Sequence, residues 1–214
     1  MKIGIFDSGV GGLFFKQLLQ EKHPEVEVLL YNPPAAFPLG LKSQDEIANI
    51  LIESIQALAS WGVSVIVLAC HTASLVFSQI SPRISWPCVI EDLYTPTHLF
   101  LTKTPPSHSP FLLSSTFTAK HPSYKQAHPN IEVYPATDLI QLIEENHPPK
   151  KEDTLALLAP LATKKYDYII SGCSHLGWIH DALHEAWPQA QIVEPVHLLL
   201  DTISCYIKKY PQNL

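Results

Sequence analysis

The chain has 214 residues, of which 46% are hydrophobic and 16% charged, with a formal net charge of -6. That composition buries a core and excludes disordered and fibrous chains. Runs of Lys and Arg are no longer than the pairs Lys150-Lys151, Lys164-Lys165 and Lys208-Lys209, so the sequence offers no basic face for nucleic acid or an anionic membrane. The opening MKIGIFDSG runs directly into a strand pattern, and no apolar run approaches the ~20 residues that cross a bilayer. A cytoplasmic protein without nucleic-acid or membrane partners is the expectation.

In chain order, a strand is expected over Lys2–Phe6, a helix over Leu13–Lys22, a strand over Glu27–Tyr31, a helix over Ser43–Ser60 and a strand over Val63–Ala69. Strands over Phe111–Ser114 and Ile131–Tyr134 follow, then helices over Ala136–Asn146 and Thr154–Thr163. A strand over Tyr166–Ser171, a helix over His175–Ala186, a strand over Gln191–Val193 and a helix over His197–Tyr210 complete the pattern. The strands are short, β-branched and almost continuously apolar, as parallel strands covered on both faces must be. The succession is largely β-α-β-α, which predicts an α/β fold on open parallel sheets. Between Thr95 and Pro110 the prolines 96, 105, 106 and 110 alternate with Ser and Thr, and this punctuation marks the candidate domain boundary. Of the eleven histidines, His23, His108, His121, His128, His147 and His180 sit in polar or Pro-rich surroundings and are read as solvated loop residues.

One local construction occurs twice: a buried strand, a cysteine, a small or polar residue, and a helix. The copies are VSVIVLACHTASLV around Cys70 and YDYIISGCSHLGWI around Cys173. In open parallel sheets the crevice beyond the carboxyl ends of the strands is where ligands bind. A thiol ahead of a helix also meets free N–H groups and the positive dipole end, which predicts a lowered pKa and a usable base. A lone buried cysteine reads more readily as a small hydrophobe, but two in matching contexts reverse that preference and favour chemistry. Cys88 and Cys205 lack that context and are assigned to packing. The four cysteines show no CxxC spacing, so free thiols are expected rather than disulfides. A third strand-to-helix junction, IGIFDSGVGGL, has Phe14 where a dinucleotide fingerprint needs its last glycine. It reads as an anion-binding loop of unspecified client, or as a purely structural tight turn.

Together these segments resemble the aspartate/glutamate racemase family, and within it the glutamate racemases. The family's DSGVGGL stands at Asp7–Leu13, its CNT as Cys70-His71-Thr72, its GCTH as Gly172-Cys173-Ser174-His175, and its FPYGxKS as Phe37–Ser43. The resemblance spans nearly the whole chain. It implies two flavodoxin-like, doubly wound lobes related by a pseudo-twofold axis, with the active site in the cleft between them. Residues 1–93 plus 192–214 would form the lobe carrying Cys70, and residues 94–191 the lobe carrying Cys173. The implied reaction is cofactor-independent racemisation of an amino acid, with Cys70 and Cys173 as base and acid on opposite faces of the Cα. The product would be D-glutamate for peptidoglycan precursors. Asp7 would assist Cys70, His175 would assist Cys173, and Glu144 would support His175. Ser8, Pro38, Leu39, Gly40, His71, Thr72, Thr118 and Ser174 take the substrate-binding positions. The partner is a small-molecule amino acid, with a homodimer as the assembly to be tested, and no cofactor or metal is expected.

Several positions depart from the family pattern. His71 replaces an asparagine, Leu39 replaces the tyrosine of FPYG, Ser174 replaces a threonine, and Pro33–Ala36 stands where the family has an Asp and an Arg. These changes fall on substrate-facing positions, so a different amino acid such as aspartate, or a non-catalytic binding or regulatory homologue, is the alternative. Zinc on Cys70, His71, Cys173 and His175 is sufficient in kind, but an adjacent Cys-His pair does not easily direct both side chains at one ion.

Overall fold

A strand that is apolar on both sides is stable only when both faces are covered, and the chain arranges this twice. The structure is a computed structural model describing residues 1–210. Its first half runs β1 (Lys2–Phe6), α1 (Gly11–Lys22), β2 (Glu27–Tyr31), α2 (Gln44–Ser60), β3 (Val65–Leu68), α3 (His71–Ile80) and β4 (Val89–Asp92). The second half starts from α4 (Tyr94–Lys103) and continues with β5 (Pro110–Ser114), α5 (Thr116–Lys120), α6 (Ser123–Ala127), β6 (Glu132–Pro135), α7 (Thr137–Glu145), α8 (Lys151–Leu158) and β7 (Tyr168–Gly172). α9 (His180–Ala186), β8 (Gln191–Val193) and α10 (Pro195–Lys209) complete it. Both sheets are parallel, in the orders β2-β1-β3-β4 and β6-β5-β7-β8. The permutation is the same in each, the doubly wound order of flavodoxin-like folds.

Each sheet is covered on both faces. In the first lobe, Ile3, Ile5, Val65 and Val67 pack against Phe15 and Leu19 of α1, and Phe6, Ile66 and Leu68 pack against Leu51 and Ile55 of α2. In the second, Phe111 stacks on Tyr166 with centroids 4.5 Å apart and meets Trp187 edge-on. β8 belongs to the second sheet, whereas α10 buries Val196, Leu199, Ile203 and Ile207 in the core of the first lobe. The C-terminal helix therefore returns across the molecule to close the first core. The last four residues of the segment assigned to that lobe lie outside the described residues.

The structure differs from the sequence reading in several places. The Pro-rich stretch after Thr95 opens as a helix that was not expected from sequence: Pro96 falls in the first turn of α4, where a missing N–H costs nothing. Asp92 there accepts from the backbone N–H of Thr95 at 2.7 Å and from its hydroxyl at 2.9 Å. The helix expected over Thr154–Thr163 lies earlier, over Lys151–Leu158, and Pro160 follows its end. His175–Ala186 is a 3-10 turn over Ser174–Ile179 followed by α9. β4, α5 and α6 were not expected from sequence; α5 and α6, five residues each, are too short to carry a helical period. His23 and His128 are buried, His23 on the Ser204 hydroxyl at 2.8 Å and His128 on the Pro105 carbonyl at 3.1 Å.

Ile203 is fully buried in α10. Ile203→Ala should cost ~2–5 kcal/mol in denaturant unfolding, the range for a buried aliphatic truncation. A loss below about 1 kcal/mol would show that α10 does not seal this core.

Candidate active site

Cys70 follows β3 and caps α3, while Cys173 follows β7 and precedes the 3-10 turn. Both thiols line one cavity, which encloses about 580 Å³ of space open to solvent. Its other walls come from Ser8, Phe37–Leu41, His71, Thr72 and Ser174–His175, with Ser115, Thr116, Thr137, Ile140 and Gln141 from the second lobe. No lysine or arginine lines it among the described residues.

The glycine-rich turn after β1 determines how the lobes meet. Asp7 is fully buried; its Oδ1 accepts from the Gly9 N–H at 2.8 Å and its Oδ2 from the Ser174 hydroxyl of the other lobe at 2.8 Å. The Val10 N–H donates to Glu144 Oε2 at 2.9 Å, and that same oxygen meets His175 Nε2 at 2.8 Å. His175 Nδ1 stands 3.5 Å from Cys173 Sγ. A Cβ on Gly9 would sit 2.4 Å from Glu144 Oε2, and one on Gly11 would sit 2.2 Å from Ser174 Oγ. The two N–H groups at the start of this turn thus bind the protein's own carboxylates, Asp7 and Glu144, so they are not free to hold a phosphate. Asp7 makes no hydrogen bond to Cys70; the sulfur instead meets Ser8 Oγ at 3.4 Å.

Electrostatics separate the thiols. Burial, followed by the Asp7 carboxylate, pushes the Cys70 thiol up to about 12. This reverses the expectation of a lowered value, because desolvation of a buried anion outweighs the partial charge of a helix terminus. Burial is also the largest influence on His175 and disfavours its cation. The charge of Cys173, the bonds to Cys173 and Glu144, and Asp7 outweigh it and raise the imidazole to about 10. Burial likewise opposes ionisation of Glu144, but the His175 bond and the Val10 N–H hold it below the ordinary carboxylate range. Burial holds Asp7 above that range despite His175, Gly9 and Ser174.

Pro38, Leu39 and Gly40 form one wall, and Gly40 lies so close to Ser115 that a Cβ would approach its Cβ at 2.6 Å. Thr72 Oγ1 is 2.7 Å from Ser115 Oγ and 3.4 Å from Thr118 Oγ1. Thr118 is fully buried behind those two hydroxyls and does not line the cavity. His71 is buried, and burial lowers its pKa to about 3. Glu144 and Asp7 stand behind the wall rather than in it. Sequence reading missed Ser115, Thr116, Thr137 and Gln141. For Ser115 the available signal was its capping role, since its hydroxyl accepts from the Thr118 N–H. Among the described residues, no three of His, Cys, Asp and Glu gather where they could hold a metal ion.

No family model matches the chain. It is 29% identical over 208 residues to the glutamate racemase of Trichormus variabilis, covering 92% of this chain and 70% of that protein. To the glutamate racemase of Campylobacter concisus it is 27% identical, over 88% of this chain and 75% of the relative. The fold superposes on Thermus thermophilus glutamate racemase in complex with β-chloro-D-alanine with a TM-score of 0.85 at 22% identity, covering 98% of this chain and 81% of the other. It superposes on the Francisella tularensis enzyme in complex with D-glutamate with a TM-score of 0.82 at 21% identity, over 98% and 82%. Picrophilus torridus aspartate racemase matches with a TM-score of 0.62 at 19% identity, over 97% and 93%.

Two measurements test the charge pattern. At pH 8, peptide mapping after iodoacetamide treatment should show Cys70 alkylated at least ~10-fold more slowly than exposed Cys205, since only the thiolate reacts; equal rates would contradict the high value. His175 is raised from 6.5 to about 10, so its stabilising contribution is complete below pH 6.5 and disappears as pH rises through about 10. Glu144→Gln weakens that contribution. The stability gap between wild type and variant should therefore narrow from pH 6.5 to 10, and parallel curves would contradict the assignment.

Proposed function

We propose that this chain, a divergent relative of the aspartate/glutamate racemase family, interconverts L- and D-glutamate by proton transfer between Cys70 and Cys173 without a cofactor. The observation that carries this reading is the pair of thiols, one from each lobe, on a single cavity. Racemisation needs a base on one face of the Cα and an acid on the other, and a thiolate with a thiol can exchange these roles. Cys173, held against the His175 imidazolium, removes the α-proton as thiolate. Cys70, kept protonated by burial, returns a proton to the opposite face, and the reverse reaction exchanges the roles. Glu144 orients His175, and Asp7 holds Ser174 and the turn that presents Ser8. Ser8, Thr72, His71 and the Pro38–Gly40 wall hold the amino acid, with Thr118 fixing Thr72 and Ser115 from behind.

The product would enter peptidoglycan precursor synthesis in the cytoplasm, and a homodimer is the assembly proposed. No helix among the described residues is long and apolar enough to cross a membrane. A second reading, the same chemistry on another amino acid such as aspartate, rests on His71 and Leu39 at substrate-facing positions.

L-glutamate and L-aspartate incubated with the protein in D2O should exchange the α-proton, glutamate faster, as followed by NMR. Cys70→Ser and Cys173→Ser should each reduce exchange by ~10²–10⁴-fold, the contribution typical of a placed acid or base. Exchange indifferent to both substitutions, or ligand binding without any exchange, would overturn the reading; faster exchange on aspartate would select the second.

A further inference from the structure

His71 lines the cleft but is only 1% exposed, and its two ring nitrogens have unequal surroundings. Nε2 lies 2.7 Å from the hydroxyl of Tyr124, whereas Nδ1 is buried with no hydrogen-bond partner among the described residues. Tyr124 stands in α6 of the second lobe, fully buried among Leu75, Leu101, Leu112 and Ile170, and does not line the cleft. The Nε2 end of the ring therefore points into this core.

A neutral imidazole has one donor and one acceptor, and which nitrogen carries the proton follows from its partners. The Tyr124 hydroxyl has no acceptor but Nε2 among the described residues. If Nε2 carried the proton, the buried tyrosine O–H would be left without an acceptor, and Nδ1 would be an acceptor without a donor. If Tyr124 donates to Nε2, the hydroxyl and Nε2 are both satisfied, and one unpaired group remains, an N–H at Nδ1. Buried donors are seldom left unpaired, and this one is on a residue of the substrate cleft.

We propose that Tyr124 is a positioning residue: its hydroxyl donates to His71 Nε2, fixes the ring as the Nδ1–H tautomer, and so supplies one N–H donor to a carboxylate oxygen of the bound amino acid. The ligand's identity rests on the racemase reading; the tautomer does not. Because Tyr124 and His71 come from opposite lobes, the donor exists only while the lobes are in register.

The test combines nitrogen NMR of 15N-histidine-labelled protein with steady-state kinetics. In the wild type at pH 7, His71 should show a protonated Nδ1 and an unprotonated Nε2. Tyr124→Phe should abolish that preference, raise KM for L-glutamate by ~10-fold through loss of one aligned hydrogen bond, and leave kcat within about threefold. In a His71→Asn background, Tyr124→Phe should change KM by less than about twofold, as coupled residues require. A wild-type ring protonated at Nε2, or an undiminished KM effect in the His71→Asn background, would overturn the proposal. The wild-type spectrum decides the tautomer even where Tyr124→Phe does not fold. The predicted tautomer with no exchange on any amino acid would refute the racemase reading alone, whereas exchange with the other tautomer would refute only the role of Tyr124.

Discussion

A buried carboxylate stands at the centre of the junction between the two lobes. Asp7 lies at the end of β1 in the first lobe, and one of its oxygens accepts from Ser174 in the second. A buried carboxylate is tolerated only when its lone pairs are used, and here Gly9 and Ser174 use one oxygen each. The glycines at 9 and 11 remove the Cβ atoms that would keep the turn from Glu144 and Ser174. From this docking follows a line of contacts: Val10 N–H to Glu144, Glu144 to His175, and His175 to Cys173. The indole of Trp178 closes the same junction on the Val10 carbonyl at 3.2 Å. The electrostatic setting of the second thiol thus depends on a turn in the first lobe.

That junction also breaks the internal symmetry. The strand orders are the same, yet Cys70 caps a ten-residue α-helix and meets a serine hydroxyl, while Cys173 has an imidazole two residues on. Asp7 lies close enough to Cys70 to oppose its ionisation and close enough to His175 to favour its charge. One carboxylate therefore pushes the two halves of the site in opposite directions. The two thiols are chemically alike, and the difference in their neighbours comes from placement rather than from residue type.

The elements that could be read from sequence were those with a strong period. β1, β2 and β8 fall on the expected residues, because a continuous β-branched run bounded by polar residues has few other uses. α4 was obscured by Pro96, since proline marks a helix start as readily as a loop and only the Asp92 cap tells which. Both thiols and the His175–Glu144 pair were legible as motif positions. The high pKa of Cys70 was not, because it depends on how completely the folded cleft excludes water. Nor was Tyr124, which lies 53 positions from its partner in a five-residue helix with no pattern of its own.

The same desolvation bears on how an anionic substrate can be held. A lysine or arginine beside Cys70 would bind a carboxylate strongly, but it would also favour the thiolate and remove the acid. Around Cys70 the cleft instead offers hydroxyls from Ser8, Thr72 and Ser115 and the neutral His71, and its cationic ring, His175, stands beside Cys173 and is bound to Glu144. Against the family motif, Leu39 for tyrosine makes this wall more apolar. Leu39 is buried beside Phe37 and Ile140. In such a cleft the direction of the donors governs discrimination, a charged one beside Cys173 and neutral ones around Cys70.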